Sequence, residues 1–300
     1  MKKRMVLALL LVMALMTACS SGSEYHIKVT KDVYFEAGKN STIEIKVTED
    51  GKAVEGLTIK ALLSMKNMAH GTSEVKFTDK GNGIYFGEAD LSMSGKYEAA
   101  FIIEKNGKKT EKVIEIEVKK AEGVAKINGE WITKEEINFY KLINQLQLEM
   151  NRETARKNYS GEKLKEELAY LDSQKTIIED QNQLLTQIIR LRSMAVLAQE
   201  KGHKATNEEV EEAIRKLRGQ YSQFESATNM IKEYGEEKFW ATEREHYKMI
   251  VLSQKIQKDL IVKIKKENPS YGEQEIYYQA QKQYEKLLIS QVNTLKIEIL

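Results

Sequence analysis

The chain has 300 residues, of which 41% are hydrophobic and 31% are charged. This length is typical of about two domains, and so large a charged fraction excludes a protein built mainly of membrane spans. The formal net charge is only +2 at pH 7, whereas nucleic-acid-binding proteins usually carry a clustered basic surface. We therefore expect no nucleic acid partner.

The N-terminus has the pattern of a secretion signal. Three basic residues precede an apolar run over residues 5–18. This run is too short to cross a bilayer comfortably, and a basic segment followed by a short apolar one is typical of a signal peptide. We interpret residues 1–18 as a signal peptide.

The apolar run ends in Met-Thr-Ala-Cys, whose last residue is Cys19. These residues resemble the bacterial lipobox, in which a cysteine receives diacylglycerol and becomes the mature N-terminus. Cys19 is the only cysteine of the chain, so it has no disulfide partner. The resemblance implies a lipoprotein anchored at the outer face of the bacterial cytoplasmic membrane, with residues 19–23 as a tether. The alternative is an ordinary signal peptide with an incidental cysteine.

Residues 24–119 alternate apolar and polar residues as β-strands do. The apolar positions of the two clearest strands are Ile43, Ile45 and Val47, then Val113 or Ile114, Ile116 and Val118. Segments rich in Gly, Asn and Asp, which favour turns, lie at residues 49–51, 81–83 and 106–107. Short strands at this spacing predict a small antiparallel, immunoglobulin-like β-sandwich.

After residue 120 the pattern becomes helical. Thr133 and Thr206 each begin a Thr-x-x-Glu sequence, the capping box that marks a helix start. An apolar pattern of helical period between them ends at Gly202, a residue type that often terminates helices. The periodicity predicts helices over residues 134–151, 160–171, 173–201, 207–219, 223–234, 236–267 and 272–292. Pro269 is expected to separate the last two.

Short strand-like segments flank the helical region, at residues 123–132 and 294–300. Helices alone would leave the backbone hydrogen-bonding groups of both segments without partners. We therefore predict that the two segments pair with each other and close a helical domain over residues 120–300.

The helical region resembles the chaperone domain of SurA- and PrsA-type extracytoplasmic foldases. The resemblance rests on a strand ending in Ile-Asn-Gly-Glu at residues 127–130, on the capping residue Thr133, and on the turn from Gly202 to Thr206. It implies a domain that binds unfolded or partner polypeptides. The parvulin prolyl-isomerase module of such foldases has no room here, because residues 204–293 have a helical pattern nearly throughout.

No catalytic motif stands out. The chain has no Gly-x-Ser-x-Gly elbow, no His-Glu-x-x-His and only four histidines. We therefore predict a chaperone or assembly factor that is not an enzyme. Four tyrosines near helical spacing leave two interpretations open, a surface that contacts clients or packing between helices: Tyr271, Tyr277, Tyr278 and Tyr284.

Methionine and histidine cluster in the predicted β-domain, in the segment SMKNMAHGT over residues 64–72. The candidate copper ligands are Met65, Met68 and His70, with Met93 from another predicted strand. Thioether and imidazole groups are ligands that suit Cu(I). His26 is a further histidine that nothing in the spacing brings to this set. The alternatives are a structural histidine among core-filling methionines and a contact surface for a partner protein.

The same region resembles YtkA-like and FixH-like small β-domains, which are relatives in architecture of CopC-type copper proteins. The resemblance rests on the Met-x-x-Met-x-His segment at residues 65–70, on Gly-x-Gly-x-Tyr at residues 81–85 and on Gly-x-Tyr at residues 95–97. The spacing of the methionines departs from the family's Met-x-Met. This resemblance implies copper binding or copper delivery, as the alternative to a chaperone function.

Overall fold

The computed structural model describes residues 24–66 and 71–300. The chain divides into two compact units, one ending at Ala121 and the other comprising Glu122–Ile299. The predicted signal peptide and the whole of the tether, including Cys19, lie outside the described residues, as do Met68 and His70. Among the helices that the structure describes, none combines the length and the apolar character needed to cross a membrane.

The described part of the first unit forms nine strands. They are β1 (Tyr25–Val29), β2 (Val33–Phe35), β3 (Ser41–Glu49), β4 (Lys52–Ala53), β5 (Thr58–Met65), β6 (Thr72–Asp79), β7 (Ile84–Ala89), β8 (Gly95–Lys105) and β9 (Lys108–Lys120). Hydrogen bonds join them in the order β1-β3-β7-β6-β5-β8-β9-β2, with β4 paired to β3. Antiparallel pairing dominates, as the sequence predicted.

The structure refines the predicted antiparallel sandwich in two respects. The strands belong to one continuous sheet, which curls around one core. In addition, β2 pairs with β9 in parallel, with Val33 opposite Val118. Both of these valines are buried, so this pairing lays the short β2 against the core and covers the end of β9.

Alternation along the strands identified the core correctly. The predicted inward residues of β3 are all fully buried: Ile43, Ile45 and Val47. On β9 the open choice is resolved in favour of Ile114, which packs against the core, because Val113 is 63% exposed. The predicted turns contain left-handed residues, at Asp50, Asn82 and Asn106, as short hairpin turns require.

The second unit contains seven helices. They are α1 (Lys134–Asn158), α2 (Gly161–Ile178), α3 (Gln181–Glu200), α4 (Asn207–Tyr221), α5 (Glu225–Tyr234), α6 (Glu236–Glu267) and α7 (Glu273–Thr294). Pro269 lies between α6 and α7, as predicted. At the start of α4 both halves of the capping box are present: Thr206 Oγ1 accepts from Glu209 N at 3.3 Å, and Glu209 Oε2 accepts from Thr206 N at 2.9 Å.

The predicted helix over residues 173–201 is wrong at its start. The helix before it, α2, continues to Ile178, and α3 begins at Gln181. Asp180 sets this boundary, because its carboxylate accepts a hydrogen bond from Gln183 N at 2.9 Å and so caps α3. The apolar period continues across residue 180, which concealed the break.

The predicted pairing of the two flanking segments is confirmed. Three short strands, β10 (Ala125–Ile127), β11 (Glu130–Ile132) and β12 (Ile297–Ile299), form a sheet with β10 in the middle. In the antiparallel pairing of β10 with β12, Ile127 lies opposite Ile297. Asn128 strengthens the closure, since its N–H donates to Lys296 O at 2.8 Å and its Oδ1 accepts from Lys296 N at 2.9 Å.

The first of these segments, predicted only as strand-like over residues 123–132, is a hairpin of two strands. Asn128 and Gly129 have φ values of 50° and 89°, the left-handed conformation that a two-residue Asn-Gly turn requires. This dipeptide is visible in the sequence. It is the signal that would have separated β10 from β11.

The apolar core of the second unit is divided into several clusters. One lies around Phe139, Phe239 and Trp240, and another packs α3, α6 and α7 together. A third places Ile188 of α3 beneath the small sheet, with Leu295 and Ile297 partly buried beside it. The end of the chain therefore contributes to the packing of the helical unit.

Candidate metal site

Met65 and Met93 lie at the same end of the sheet. Met65 is the last residue of β5, and Met93 precedes the first residue of β8, Gly95, by two positions. Because β5 and β8 are antiparallel neighbours with Met65 opposite Tyr97, the end of one strand adjoins the start of the other. The structure thus brings together two of the four predicted ligands.

Two contacts fix the backbone around these methionines. The hydroxyl of Tyr97 donates to the backbone oxygen of Met93 at 2.9 Å, which ties the segment before β8 to the strand. A Cβ atom at Gly95 would collide with Cε of Met65, and the backbone of Gly95 has a φ of 151°. Only glycine suits this position, where the thioether of Met65 lies directly over the backbone.

The two methionines differ in burial. Met65 is partly buried and packs against the core of the sheet, whereas Met93 is 38% exposed. Packing therefore accounts for Met65 without a metal, in agreement with the core-filling alternative. The exposure of Met93 leaves its thioether accessible from solvent, as a ligand for an incoming soft cation must be.

Met68 and His70 lie in the segment 67–70, outside the described residues. Of the described residues on either side of it, Ser64 of β5 is opposite Thr72 of β6. The structure describes no ligand geometry for the complete set of four.

The charges beside Met65 are paired. Lys66 Nζ forms an ion pair with Glu115 on β9, and this contact raises the pKa of Lys66 and lowers that of Glu115. Both side chains are solvent-exposed, so the pair contributes little to stability.

The remaining histidine of the first unit lies elsewhere. His26 is exposed on β1, opposite Thr48 of β3, and β3, β7 and β6 separate β1 from β5 in the sheet. In the described part of the chain, no three His, Cys, Asp or Glu residues are grouped as metal ligands.

A buried polar cluster in the second unit was not foreseen from the sequence. Arg192 of α3 forms an ion pair with Glu136 of α1 and donates to the backbone oxygen of Trp131 at 3.0 Å. Glu243 of α6 is 1% exposed, and its Oε2 lies 3.0 Å from Nδ1 of His246. The Arg192–Glu136 pair joins α3 to α1, whereas Glu243 and His246 both lie on α6.

Burial dominates the electrostatics of this cluster. It raises the pKa of Glu136 above its ordinary value, although the guanidinium of Arg192 opposes the shift. Burial also raises the pKa of Tyr140, whose ring lies 4.7 Å from that of His246. Glu136 was interpreted from the sequence only as part of a helix cap, and its Arg192 partner is 56 residues away, so local patterns gave no sign of the pair.

The four tyrosines do not form one stripe. Tyr284 is partly buried, and its hydroxyl lies 2.8 Å from Ser253 Oγ, so it packs between helices α6 and α7. Tyr277 and Tyr278 are 60% and 61% exposed, and Tyr271 is 39% exposed. The packing interpretation thus holds for Tyr284, and the other three present aromatic rings to solvent.

The structure therefore defines a protein with a curled β-sheet unit, methionine-lined at one end, followed by a helical unit closed by its own small sheet. A comparison with known families agrees for the first unit: residues 20–101 match the family model described as YtkA-like. The match includes Met65, Met68, His70 and Met93, and it ends within β8. No curated protein matches the chain.

Proposed function

We propose that the YtkA-like domain binds copper as Cu(I) through Met65, Met68, His70 and Met93. The observation that carries the proposal is the convergence of Met65 and Met93 at one end of the sheet. The YtkA-like match supports it, because that family is related to CopC-type copper proteins. Thioethers and an imidazole make a soft, uncharged ligand set, which favours Cu(I) over hard divalent cations.

The test is a competition titration of the full-length protein with Cu(I) against a chromogenic chelator. The double variant Met68→Ala/His70→Ala should bind Cu(I) at least about tenfold more weakly, since ligand-shell changes typically cost 10–100-fold in affinity. His26→Ala is the matched control, because it removes an exposed histidine of the same unit. Equal affinity in wild type and the double variant would refute the proposal.

A second candidate function is that the helical unit binds unfolded or partner polypeptides as a non-enzymatic chaperone or assembly factor. The observation that favours it is the set of large apolar side chains exposed on the helices: Tyr170, Ile177, Val262, Tyr277, Tyr278 and Ile289. The strand pairing that closes the unit agrees with the arrangement that the resemblance to SurA-type foldases implies. Contiguous exposed apolar side chains are typical of protein interaction sites, and Tyr277 and Tyr278 are such neighbours on α7.

The second candidate is tested by light scattering. The full-length protein, in excess over a chemically unfolded client, should slow the aggregation of that client. A variant with Tyr277→Ser and Tyr278→Ser should be less effective, with Tyr34→Ser as the control on the other unit. Aggregation that is unchanged at several-fold molar excess of the wild type would contradict this function.

We propose further that Cys19 is lipidated and that the protein acts at the outer face of the bacterial cytoplasmic membrane. The support is the sequence of residues 1–19 alone. Wild-type protein expressed in bacteria should incorporate a labelled fatty acid and sediment with membranes, whereas Cys19→Ser should do neither. Equal labelling of both proteins would contradict the assignment of Cys19.

A further inference from the structure

A groove follows helix α6 on the second unit. Six of the α6 residues that line it recur at intervals of three or four: Tyr247, Val251, Lys255, Lys258, Val262 and Lys266. Residues at these intervals share one face of a helix, so the groove follows a single face of α6. At a rise of 1.5 Å per residue, the lined face is about 30 Å long.

The groove has two contiguous parts, which share Glu209, Lys255 and Lys258. The part between α4 and α6 has a volume of about 470 Å³. The other part, of about 820 Å³, extends past His203 along the last turns of α6. An extended polypeptide advances about 3.3 Å per residue, so the groove matches a segment of about nine residues.

Apolar side chains form much of the groove's surface. Ala213 and Leu217 of α4 face Tyr247 and Val251 of α6 across the narrower part. In the wider part Val262 is 59% exposed. This exposed valine offers a contact for an apolar side chain of an occupant.

The charge at the rim favours an acidic occupant. The acidic groups of the rim already have basic partners: Glu209–Lys255 at 2.7 Å, Glu212–Lys216 at 2.8 Å, Asp259–His203 at 2.7 Å and Glu267–Lys263 at 4.0 Å. Across residues 24–66 and 71–300, no ion pair engages Lys258 or Lys266. These two cations flank Val262 on the same helix face and remain available to carboxylates.

We propose that this groove binds an extended polypeptide segment in which acidic residues alternate with apolar ones. The occupant's carboxylates would contact Lys258 and Lys266, and its apolar side chains would contact Val262 and the partly exposed Ala213 and Tyr247. A flat bilayer with anionic lipids would meet the lysines but would not reach the concave floor. The inference rests on the polypeptide-binding function proposed for the helical unit and names the chemistry of its ligand.

The test measures fluorescence anisotropy of a labelled nine-residue peptide of alternating Glu and Val, titrated with the full-length protein. The same peptide with Lys in place of Glu is the charge control. The double variant Lys258→Glu/Lys266→Glu should bind the acidic peptide about tenfold more weakly, because it reverses two charges that attract the ligand. Lys282→Glu/Lys286→Glu, on exposed positions of α7, makes the same change in net charge outside the groove and should bind as the wild type does.

Equal loss of binding in both double variants would overturn the groove assignment, because net charge alone would then explain the effect. The groove assignment would also be overturned if the wild type bound the Glu and Lys peptides equally well, or if it bound phosphatidylglycerol vesicles in place of the acidic peptide. If the wild type suppresses client aggregation but Lys258→Glu/Lys266→Glu has the same peptide affinity as the wild type, the chaperone function stands and the groove assignment is refuted. Failure of the wild type in both assays would refute the two together.

Discussion

Different interactions stabilise the interiors of the two units. In the sheet unit the strands satisfy one another's backbone groups around one apolar core, where Ser41 is the only buried polar residue among those described. In the helical unit the apolar packing is divided into clusters, and the buried Glu243 and the Glu136–Arg192 pair lie between helices. We infer that the sheet unit is most sensitive to changes in packing volume, and the helical unit to the loss of polar partners and of its closing strand.

The largest effect is expected from removing residues 295–300. The deletion takes away β12 with the partly buried Leu295 and Ile297. It leaves one edge of β10 without hydrogen-bond partners, while β11 still pairs with the other edge. These losses together should lower the free energy of unfolding of the helical unit by about 5 kcal/mol. Calorimetry of the full-length protein measures this loss of stability. The control is Ile299→Ser, which changes a 68% exposed side chain and should be nearly neutral. An unaltered helical transition would show that β12 contributes nothing to the fold.

Breaking the buried ion pair should have the next largest effect. Arg192→Met leaves Glu136 largely buried without its partner, which should cost about 3 kcal/mol in urea unfolding. Arg190→Met is the matched control two residues away, because Arg190 pairs with Glu285 at the surface, where such pairs are worth less than about 1 kcal/mol. Similar costs for both variants would contradict the view that buried charges hold the helical unit together.

One added methyl group, from a Gly→Ala substitution, should have opposite effects on the stability of the two units. A Cβ atom at Gly87 of β7 would lie 2.6 Å from Val75 Cγ1 and 3.1 Å from Phe77, so Gly87→Ala should destabilise the sheet unit by about 2 kcal/mol. Gly219 of α4 has nothing within 4 Å of the same position, so Gly219→Ala should stabilise the helical unit by about 0.5–1 kcal/mol. Thermal unfolding measures both signs, and a stable Gly87→Ala protein would show a looser core than the structure describes.

The smallest expected effect depends on pH. The carboxylate of Glu153 accepts hydrogen bonds from Lys157 and from the N–H and hydroxyl of Ser226 at the start of α5. These contacts hold the pKa of Glu153 at about 2. Because this pKa is below the unfolded value of about 4.3, the interaction stabilises the folded protein above that value, and the stabilisation is lost as the pH falls towards 2.

Circular dichroism melts at pH 6, 4 and 2.5 test this effect. Glu153→Gln should be slightly less stable than the wild type at pH 6 and should lose less stability on acidification, whereas the exposed Glu166→Gln should follow the wild type throughout. Parallel acid profiles for the wild type and Glu153→Gln would contradict the low pKa.

The sequence was sufficient where structure depends on local pattern. Alternation identified Ile43, Ile45 and Val47 as core residues, and the cap at Thr206 marked a helix start, because neighbouring residues alone determine these features. The sequence was insufficient where the structure depends on contacts between residues far apart in the chain. The parallel pairing of Val33 with Val118 and the pair of Glu136 with Arg192 join segments far apart in the chain. At the candidate site, the sequence named the methionines, but only the register of β5 with β8 placed Met65 beside the start of β8.

The closure of the helical unit also has a consequence for how the protein is made. Lys296 and Asn128, which join β12 to β10, are 168 residues apart, and closing so long a flexible loop costs roughly 4–5 kcal/mol of chain entropy. During synthesis, β10 emerges long before β12, so the helices must remain without their closing strand until residues 295–299 are free. We expect the sheet unit to reach its native state during this interval, and the helical unit to complete folding last and slowly.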